Sequence, residues 1–539
     1  MAKGKKELPA ESSPSPPTPG GTNASNNPRK KKWATKVKTG CTTCRIRRVK
    51  CDETRPACTR CVSTGRRCDG YTSLPALVRQ PDHSASPFRS SWDERRMFFF
   101  FRTETALQVA GPFDQSFWTV DLLKATQVHP AIWHASVAVA AMYKRYTIPS
   151  SAHSTTLRKD LYNFALTQYN ASISGLVDVA SRENPGPGDK DVILATSILY
   201  TGLCSLRGDP REAFLHMRNG LKLFRQWKHW ERRRSRGSGG VLPVNSIVTL
   251  FNRLDSQALN LLDDASRMEW EGGHIPREPS TKPFTSVTEA YFEFELSLSG
   301  LLGLMQRREF IAGPYPTGPS RESRLVFRNA LSAWSEKFSA LRPLLKESEM
   351  EAALILQIRH IAFDIALTID VSSWELAWDE FHPQYEQIVT FSRQLLEKYH
   401  PATGGDGGAE HEACGPIFSF AASVCEPLYV AASSCRDPVL RREAISLLRQ
   451  WPRRECLWDS VLAASLAESI MLMEEQAADG VGVESNEECL CVREQFVCHG
   501  HRVADTKLEL LGEGVGMVTL RSVNDILAER PGRTIQLSW

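Results

Sequence analysis

The sequence has little of what marks membrane, secreted or catalytic proteins. Its apolar runs, such as 131–143 and 192–206, are too short and too mixed with His, Ser and Thr to span a bilayer. Met1-Ala-Lys-Gly-Lys-Lys lacks the apolar segment of a secretion signal. There is no P-loop, no dinucleotide fingerprint and no Gly-x-Ser-x-Gly, so the commonest nucleotide, redox and serine-hydrolase chemistries have no motif to rest on. Residues 1–28 have almost no large apolar side chain and are rich in Pro, Ser, Gly, Asn and Lys; such a stretch cannot offset the entropy of ordering, and disorder is expected. The cysteines are too sparse, 14 in 539 residues, for a small disulfide scaffold. A reducing compartment follows, where clustered thiols bind metal more often than they oxidise.

What is present is unevenly spread. Apolar content of 42% and a mean hydropathy of −0.31 fit a soluble chain with a real core. The net charge of +4 hides a division. Residues 29–68 hold 14 Lys/Arg against 2 Asp/Glu, and residues 1–28 are one charge positive, so the rest of the chain sums to about −9. A basic head on a mildly acidic body points to a polyanionic partner for the head alone.

Six of the cysteines lie between Cys41 and Cys68, as two copies of Cys-x2-Cys-x6-Cys: Cys41, Cys44 and Cys51, then Cys58, Cys61 and Cys68. Zinc prefers four ligands in a tetrahedron, and thiolate sulfur suits it. Two ions need eight ligand positions, which six cysteines fill if two sulfurs bridge. The repeat predicts a pseudo-twofold arrangement, and metal would supply much of the folding energy. Disulfides fit a reducing compartment poorly, a metal store would not need the interleaved arginines, and the stretch has no His for other finger types. Between the second and third cysteines stand Arg45, Arg47, Arg48 and Lys50, with Ile46 and Val49 three apart and able to face inward on a helix. The run Arg29, Lys30, Lys31 and Lys32, followed by Lys36 and Lys38, reads as nuclear targeting or phosphate contact.

These residues resemble the fungal Zn2Cys6 binuclear-cluster transcription factors, with Asp52 after the third cysteine and Pro56 two before the fourth. The resemblance implies two Zn2+ ions sharing six thiolates, with Cys41 and Cys58 bridging. It implies a short helix and an extended strand in each half. It also implies that Arg47 and Arg48 lie at the major-groove edge of double-stranded DNA and read a CGG triplet, as bidentate Arg–guanine pairing allows. Lys50, Arg45, Arg55, Arg60, Arg66 and Arg67 read as phosphate contacts or solubilising charge.

Residues 71–90 read as a linker; Pro75, Pro81 and Pro87 break any heptad there, which speaks against the zipper dimer of many relatives and for a monomer or a homodimer through the helical body. From about residue 91 the pattern is helical, with segments near 92–107, 130–146, 161–177, 192–206, 208–224, 246–264, 286–307, 323–344, 350–372, 381–399, 416–433, 437–450 and 457–477. Residues 516–520 and 533–537 read as a small terminal hairpin. The body, over about 91–505, is similar to the fungal-specific transcription-factor regulatory region of the second type, through His129-Pro-Ala-Ile-Trp-His-Ala-Ser, Ala165-Leu-Thr-Gln-Tyr-Asn, His216-Met-Arg-Asn-Gly and the run from Ile445 to Ser460. That implies an effector region, not a catalytic one.

Four other groupings stand apart from these motifs. Arg232 to Gly240 reads as an exposed basic loop, and Asp263-Asp264 as a helix surface. Glu474, Glu475, Glu484, Glu487 and Glu488 form an acidic stretch suited either to recruiting the transcription machinery or to plain solvation. Cys489, Cys491, Cys498 and His501 have metal-ligand chemistry, but Cys-x-Cys is a tight spacing for one zinc, so no site is expected there. The expectation is therefore a mostly α chain: a disordered basic tail (1–38), a Zn2Cys6 DNA-binding module (39–70), a linker (71–90) and a large all-α regulatory domain (91–539). Its role is a nuclear regulator of RNA polymerase II transcription that contacts DNA and co-regulators, with no enzyme activity and no membrane.

Overall fold

Sulfur makes the core of the head, and hydrocarbon that of the body. The structure, a computed structural model, describes residues 40–47, 49–54, 57–69, 90–113, 115–149, 154–234, 242–261, 280–305, 321–399, 415–477, 489–512 and 514–539. The chain divides into two compact units, one within residues 1–85 and one within 86–539. Arg29 to Lys32, the 71–89 part of the linker and Asp263-Asp264 lie outside the described residues, as does most of the 232–240 loop.

In the head, helices α1 (Thr42–Ile46) and α2 (Thr59–Val62) each begin one residue after the first cysteine of a half. The buried cluster consists of cysteines alone. The expectation that Ile46 and Val49 turn inward fails: they are 75% and 39% exposed. The helix also stops at Ile46, so Arg47 lies in a turn and Lys50 in irregular backbone. Among the described residues of the head the buried cluster holds only cysteines, so no apolar core draws these side chains in.

The body is mostly α. Its first core is built by α3 (Trp92–Phe100), a π turn, α4 (Ala106–Ala110), α5 (Leu122–Thr126), α6 (Pro130–Thr147), α7 (Thr155–Ala180), α8 (Pro187–Arg207), α9 (Pro210–Gln226) and α10 (Val244–Leu261). Proline opens α6, α8 and α9 at a position where its missing N–H costs nothing. The sequence runs that suggested a regulatory region act here as interhelical polar joints. His134 Nδ1 meets Gln168 Oε1 at 2.7 Å, and Gln168 Nε2 donates to Glu94 at 2.8 Å. The Tyr169 hydroxyl meets His216 Nε2 at 2.6 Å, and Ser172 joins Ala131 O to the Tyr200 hydroxyl.

The second core is built by α11 (Val287–Met305), α12 (Arg321–Leu341), α13 (Met350–Thr368), the 3-10 segment Val371–Phe381, α14 (His382–Tyr399), α15 (Cys425–Ser434), α16 (Pro438–Gln450) and α17 (Ser460–Gln476). The helix expected over 416–433 begins instead as strand β1 (Ile417–Ser419). It pairs in parallel with β2 (Arg453–Glu455), which turns back onto β3 (Trp458–Asp459). A short apolar run such as 417–420 cannot be assigned by periodicity, and here tertiary pairing decides it. The Glu455 carboxylate accepts backbone N–H groups of Ser423, Val424 and Cys425 at 2.6, 3.0 and 3.3 Å, and so holds the start of α15. Phe418 and Phe420 belong to the first core and Ala421 and Val424 to the second, so this segment joins the two. At Gly202 on α8 a Cβ would lie 2.2 Å from the Phe420 ring, so only glycine permits that contact.

The expected terminal hairpin is two strands of a three-stranded antiparallel sheet, β4 (Val503–Gly512), β5 (Val515–Ser522) and β6 (Arg533–Ser538), with α18 (Val523–Leu527) between the last two. β5 is central, and its Val518 and Leu520 pack on Leu466 and Ile470 of α17. β4 is an edge strand, mostly exposed and interrupted by Asp505, Lys507 and Glu509, which hid it from the apolar pattern.

The acidic stretch proves structural at its start. Glu474 is fully buried; its carboxylate accepts from Arg436 at 2.8 Å, Arg441 at 2.6 Å and the Val503 backbone N–H at 2.9 Å. Burial alone would favour the neutral acid, but the two arginines outweigh it and hold the Glu474 pKa below its ordinary value of 4.5. Glu474→Ala leaves buried Arg441 without its carboxylate and Arg436 with Glu375 alone, and should cost about 3–5 kcal/mol, read as a lower denaturant midpoint of the full chain. A carboxyl with a depressed folded pKa stabilises above the unfolded value and loses that contribution as pH falls through the folded one. Stability should therefore decline below about pH 4.5, and Glu474→Gln should flatten that decline; an unchanged midpoint in Glu474→Ala would refute the assignment.

Candidate metal centre and nucleic-acid interface

The six sulfurs of the head gather into two sets of four: Cys41, Cys44, Cys51 and Cys58, and Cys41, Cys58, Cys61 and Cys68. Within each set the sulfurs lie within 4.8 Å of one another. Cys41 and Cys58 belong to both sets, and their sulfurs are 3.5 Å apart. Cys44 lies 3.7 Å from Cys58, and Cys61 lies 3.8 Å from Cys41. A tetrahedral zinc with Zn–S of about 2.3 Å places its sulfurs about 3.8 Å apart, so the donor set fits the ion. A disulfide would need about 2.05 Å, and none of the six cysteines forms one. Burial of the Cys41, Cys44 and Cys58 thiols pushes their pKa values up, and a metal ion bound there would displace their protons.

The two halves repeat bond for bond. Cys41 N–H donates to Cys51 Sγ at 3.4 Å, as Cys58 N–H does to Cys68 Sγ at 3.5 Å. Cys44 N–H donates to Cys41 Sγ at 3.4 Å, as Cys61 N–H does to Cys58 Sγ at 3.3 Å. The repeat extends past the cysteines. Asp52, next to Cys51, accepts the N–H groups of Thr59 at 3.2 Å and Arg60 at 2.8 Å, at the start of α2. Asp69, next to Cys68, accepts the Thr43 hydroxyl at 2.8 Å in α1. Each aspartate thus ties its own half to the helix of the other. Hydrogen bonds from Thr54 and these backbone groups hold the Asp52 carboxyl below its usual range. Asp69 and the threonines went unnoticed in the sequence, although Cys51-Asp52 and Cys68-Asp69 were the signal.

Among the basic residues, Arg47 is half-buried and donates to Thr64 Oγ1 at 3.5 Å. Lys50, Arg60, Arg66 and Arg67 are exposed. The side chain of Arg45, and Arg48, Arg55 and Pro56, lie outside the described residues.

Residues 39–75 match the fungal Zn(2)-Cys(6) binuclear cluster domain. The chain is 25% identical to an aspercryptin biosynthesis cluster-specific transcription regulator of Emericella nidulans, over 81% of this chain and 87% of that one. It is 27% identical to a Zn(2)-C6 fungal-type transcription factor of Aspergillus fumigatus, over 30% of this chain and 45% of the relative. It is 46% identical to a transcriptional regulatory protein of Schizosaccharomyces pombe, over 12% of this chain and 13% of the relative. No solved structure matches the chain. The head is thus a fungal-type Zn2Cys6 binuclear cluster, and over most of its length the chain is similar to one such fungal transcription regulator. Cys41, Cys44, Cys51 and Cys58 would hold one zinc ion and Cys41, Cys58, Cys61 and Cys68 the other.

The shared sulfurs carry a consequence. Cys41→Ser or Cys58→Ser removes a ligand from both sets and should lower the zinc content of the chain by two. Cys51→Ser or Cys68→Ser touches one set and should lower it by one. Elemental analysis of the purified variants checks this; equal losses from all four would refute the sharing.

Proposed function

We propose that the protein is a nuclear, zinc-dependent, sequence-specific DNA-binding transcription factor that regulates RNA polymerase II transcription and reads CGG-type triplets. The observation that carries the reading is the pair of four-sulfur sets sharing Cys41 and Cys58, with basic side chains around them. Zinc supplies a rigid frame; the chain's own Arg45, Arg47, Arg48 and Lys50 supply the contacts. Guanine offers O6 and N7 in the major groove, and an arginine fork pairs with both, worth about 1–3 kcal/mol of discrimination. Arg47 and Arg48 are assigned this role, and Lys50 and Arg45 phosphate contact. Arg29, Lys30, Lys31 and Lys32 are assigned to nuclear import.

The body is assigned to effector contacts rather than catalysis. The relatives of known role are regulators, and among the described residues no helix is long and apolar enough to cross a membrane. The prolines at 75, 81 and 87 argue against a coiled coil in the linker, so any pairing of two readers falls to the body. The Emericella relative is a regulator specific to one biosynthesis cluster, and a comparably narrow target set is the reading we carry over.

Binding to duplexes with and without CGG, before and after chelation, tests the proposal. Expected are preference for CGG and loss on zinc removal; binding indifferent to both would overturn it. Arg48→Ala should reduce discrimination against a changed triplet by about 1–3 kcal/mol while sparing part of the overall affinity. Lys50→Ala should weaken all duplexes alike and lower the slope of log K against log salt by about 1.

A further inference from the structure

We infer that the body carries a second, separate zinc site, a closed mononuclear centre formed by Cys489, Cys491, Cys498 and His501. The four ligand atoms, three Sγ and one imidazole nitrogen, all lie within 4.8 Å of one another. His501 Nδ1 is 3.5 Å from Cys489 Sγ, 3.6 Å from Cys491 Sγ and 3.1 Å from Cys498 Sγ, and Cys491 and Cys498 sulfurs are 3.5 Å apart. A tetrahedron with Zn–S of about 2.3 Å and Zn–N of about 2.0–2.1 Å has S–S edges of about 3.8 Å and S–N edges of about 3.6 Å, so the four atoms lie near, and slightly inside, that size. A disulfide, at about 2.05 Å, is not formed, and the three thiols are free.

Local backbone explains how so tight a spacing delivers four ligands. Residues 489–491 lie in neither a helix nor a turn, and their exposure alternates as it does along a strand, where residues two apart share a face. Leu490 is 71% exposed while the cysteines on either side are partly buried, as that alternation requires. Val492 and Phe496 then exchange backbone hydrogen bonds of 2.8 Å across a tight turn with Glu494 at φ 54°. This returns Cys498 to Cys491, and Cys498 N–H donates to Cys491 Sγ at 3.3 Å. The 3-10 turn His499–His501 completes the set, since residues three apart eclipse in that helix.

The other described cysteines of the body behave differently. Cys425 and Cys435 pack in the second hydrocarbon core and Cys456 in the first. Cys204 lies near Glu212 and His216, but Glu212 is paired with Arg207 at 2.7 Å and His216 with Tyr169. Only at 489–501, among the described residues of the body, do three sulfurs face one imidazole. With four protein ligands the centre has no open position, so its role is structural. It sits where the chain passes from α17 to the terminal sheet. The next residue, Arg502, is buried and reaches Asp379 with two contacts of 2.8 Å, and Val503 N–H donates to Glu474. The ion would fix this entry into β4, and the three thiols would release their protons to water as it binds.

The test is the zinc content of the full-length chain by native mass spectrometry. Three ions per chain are expected, two of them in the head. Replacing Cys41, Cys44, Cys51, Cys58, Cys61 and Cys68 by serine should leave one, and cobalt(II) in its place should give the absorption of a tetrahedral three-sulfur, one-nitrogen centre. Adding Cys498→Ser or His501→Ala should remove that ion, and His501→Cys should keep it. Because the six-serine variant leaves the new site untouched, failure of a site variant to fold does not blur the result. A folded six-serine chain without zinc, or one lighter by two hydrogens through a Cys491–Cys498 disulfide, would overturn the inference.

Discussion

Thiolate coordination of zinc is the constraint on which the head depends. Its described residues offer Ile46, Val49 and Val62 as large apolar side chains, and all three are exposed. Had they been buried, each would have contributed about 1.5–3 kcal/mol. Structural zinc in finger peptides contributes about 10–16 kcal/mol. The metal term therefore dominates, and the apolar side chains are free to face outward. This explains why so short a stretch can fold as its own unit, and why its surface can be given over to charge.

The body solves a different problem with different means. Its helices bury carboxylates and guanidinium groups together: Glu474 with Arg436 and Arg441, Glu295 with Arg359, and Glu455 against the start of α15. Such pairs add little net stability against a hydrocarbon of equal volume, because desolvation offsets their attraction. Their value lies in what a mismatch would cost. Glu474 binds groups on three chain segments at once, so a shifted register leaves buried charge unmatched. Glu455 sits on β2 and orients the start of a helix some 30 residues earlier in the chain. These contacts select one arrangement of the second core and its terminal sheet.

The head was legible in the sequence because its chemistry is local. Cysteine spacing encodes ligand sets directly, and the resemblance supplied the bridging pair Cys41 and Cys58 that the sulfur positions reproduce. The length of α1 was not legible. Apolar Ile46 and Val49 at helical spacing suggested a longer helix, but periodicity reports burial only where there is something to be buried against. In the body most helices were visible from their 3.6-residue pattern. β1, β2 and β3 were not, since each is two or three residues long and exists through pairing across the chain. β4 escaped because an edge strand with alternating charge buries little. Glu474 looked like a solvated acid because its arginine partners lie more than thirty residues away.

The same reasoning bears on Cys489 to His501. Judged by spacing, Cys-x-Cys looked too tight, because the usual zinc pair is two cysteines of one turn. Spacing rules of that kind assume that one backbone conformation delivers both ligands. Here a pair of cysteines outside any helix, a tight turn and a 3-10 turn each contribute, and the tertiary fold brings them together. A ligand pattern read from sequence is strong where one local motif delivers all donors, as in Cys41 to Cys68. It is weak where several do. In this chain the difference lies between a centre that makes its own fold and one that stabilises a fold made by its neighbours.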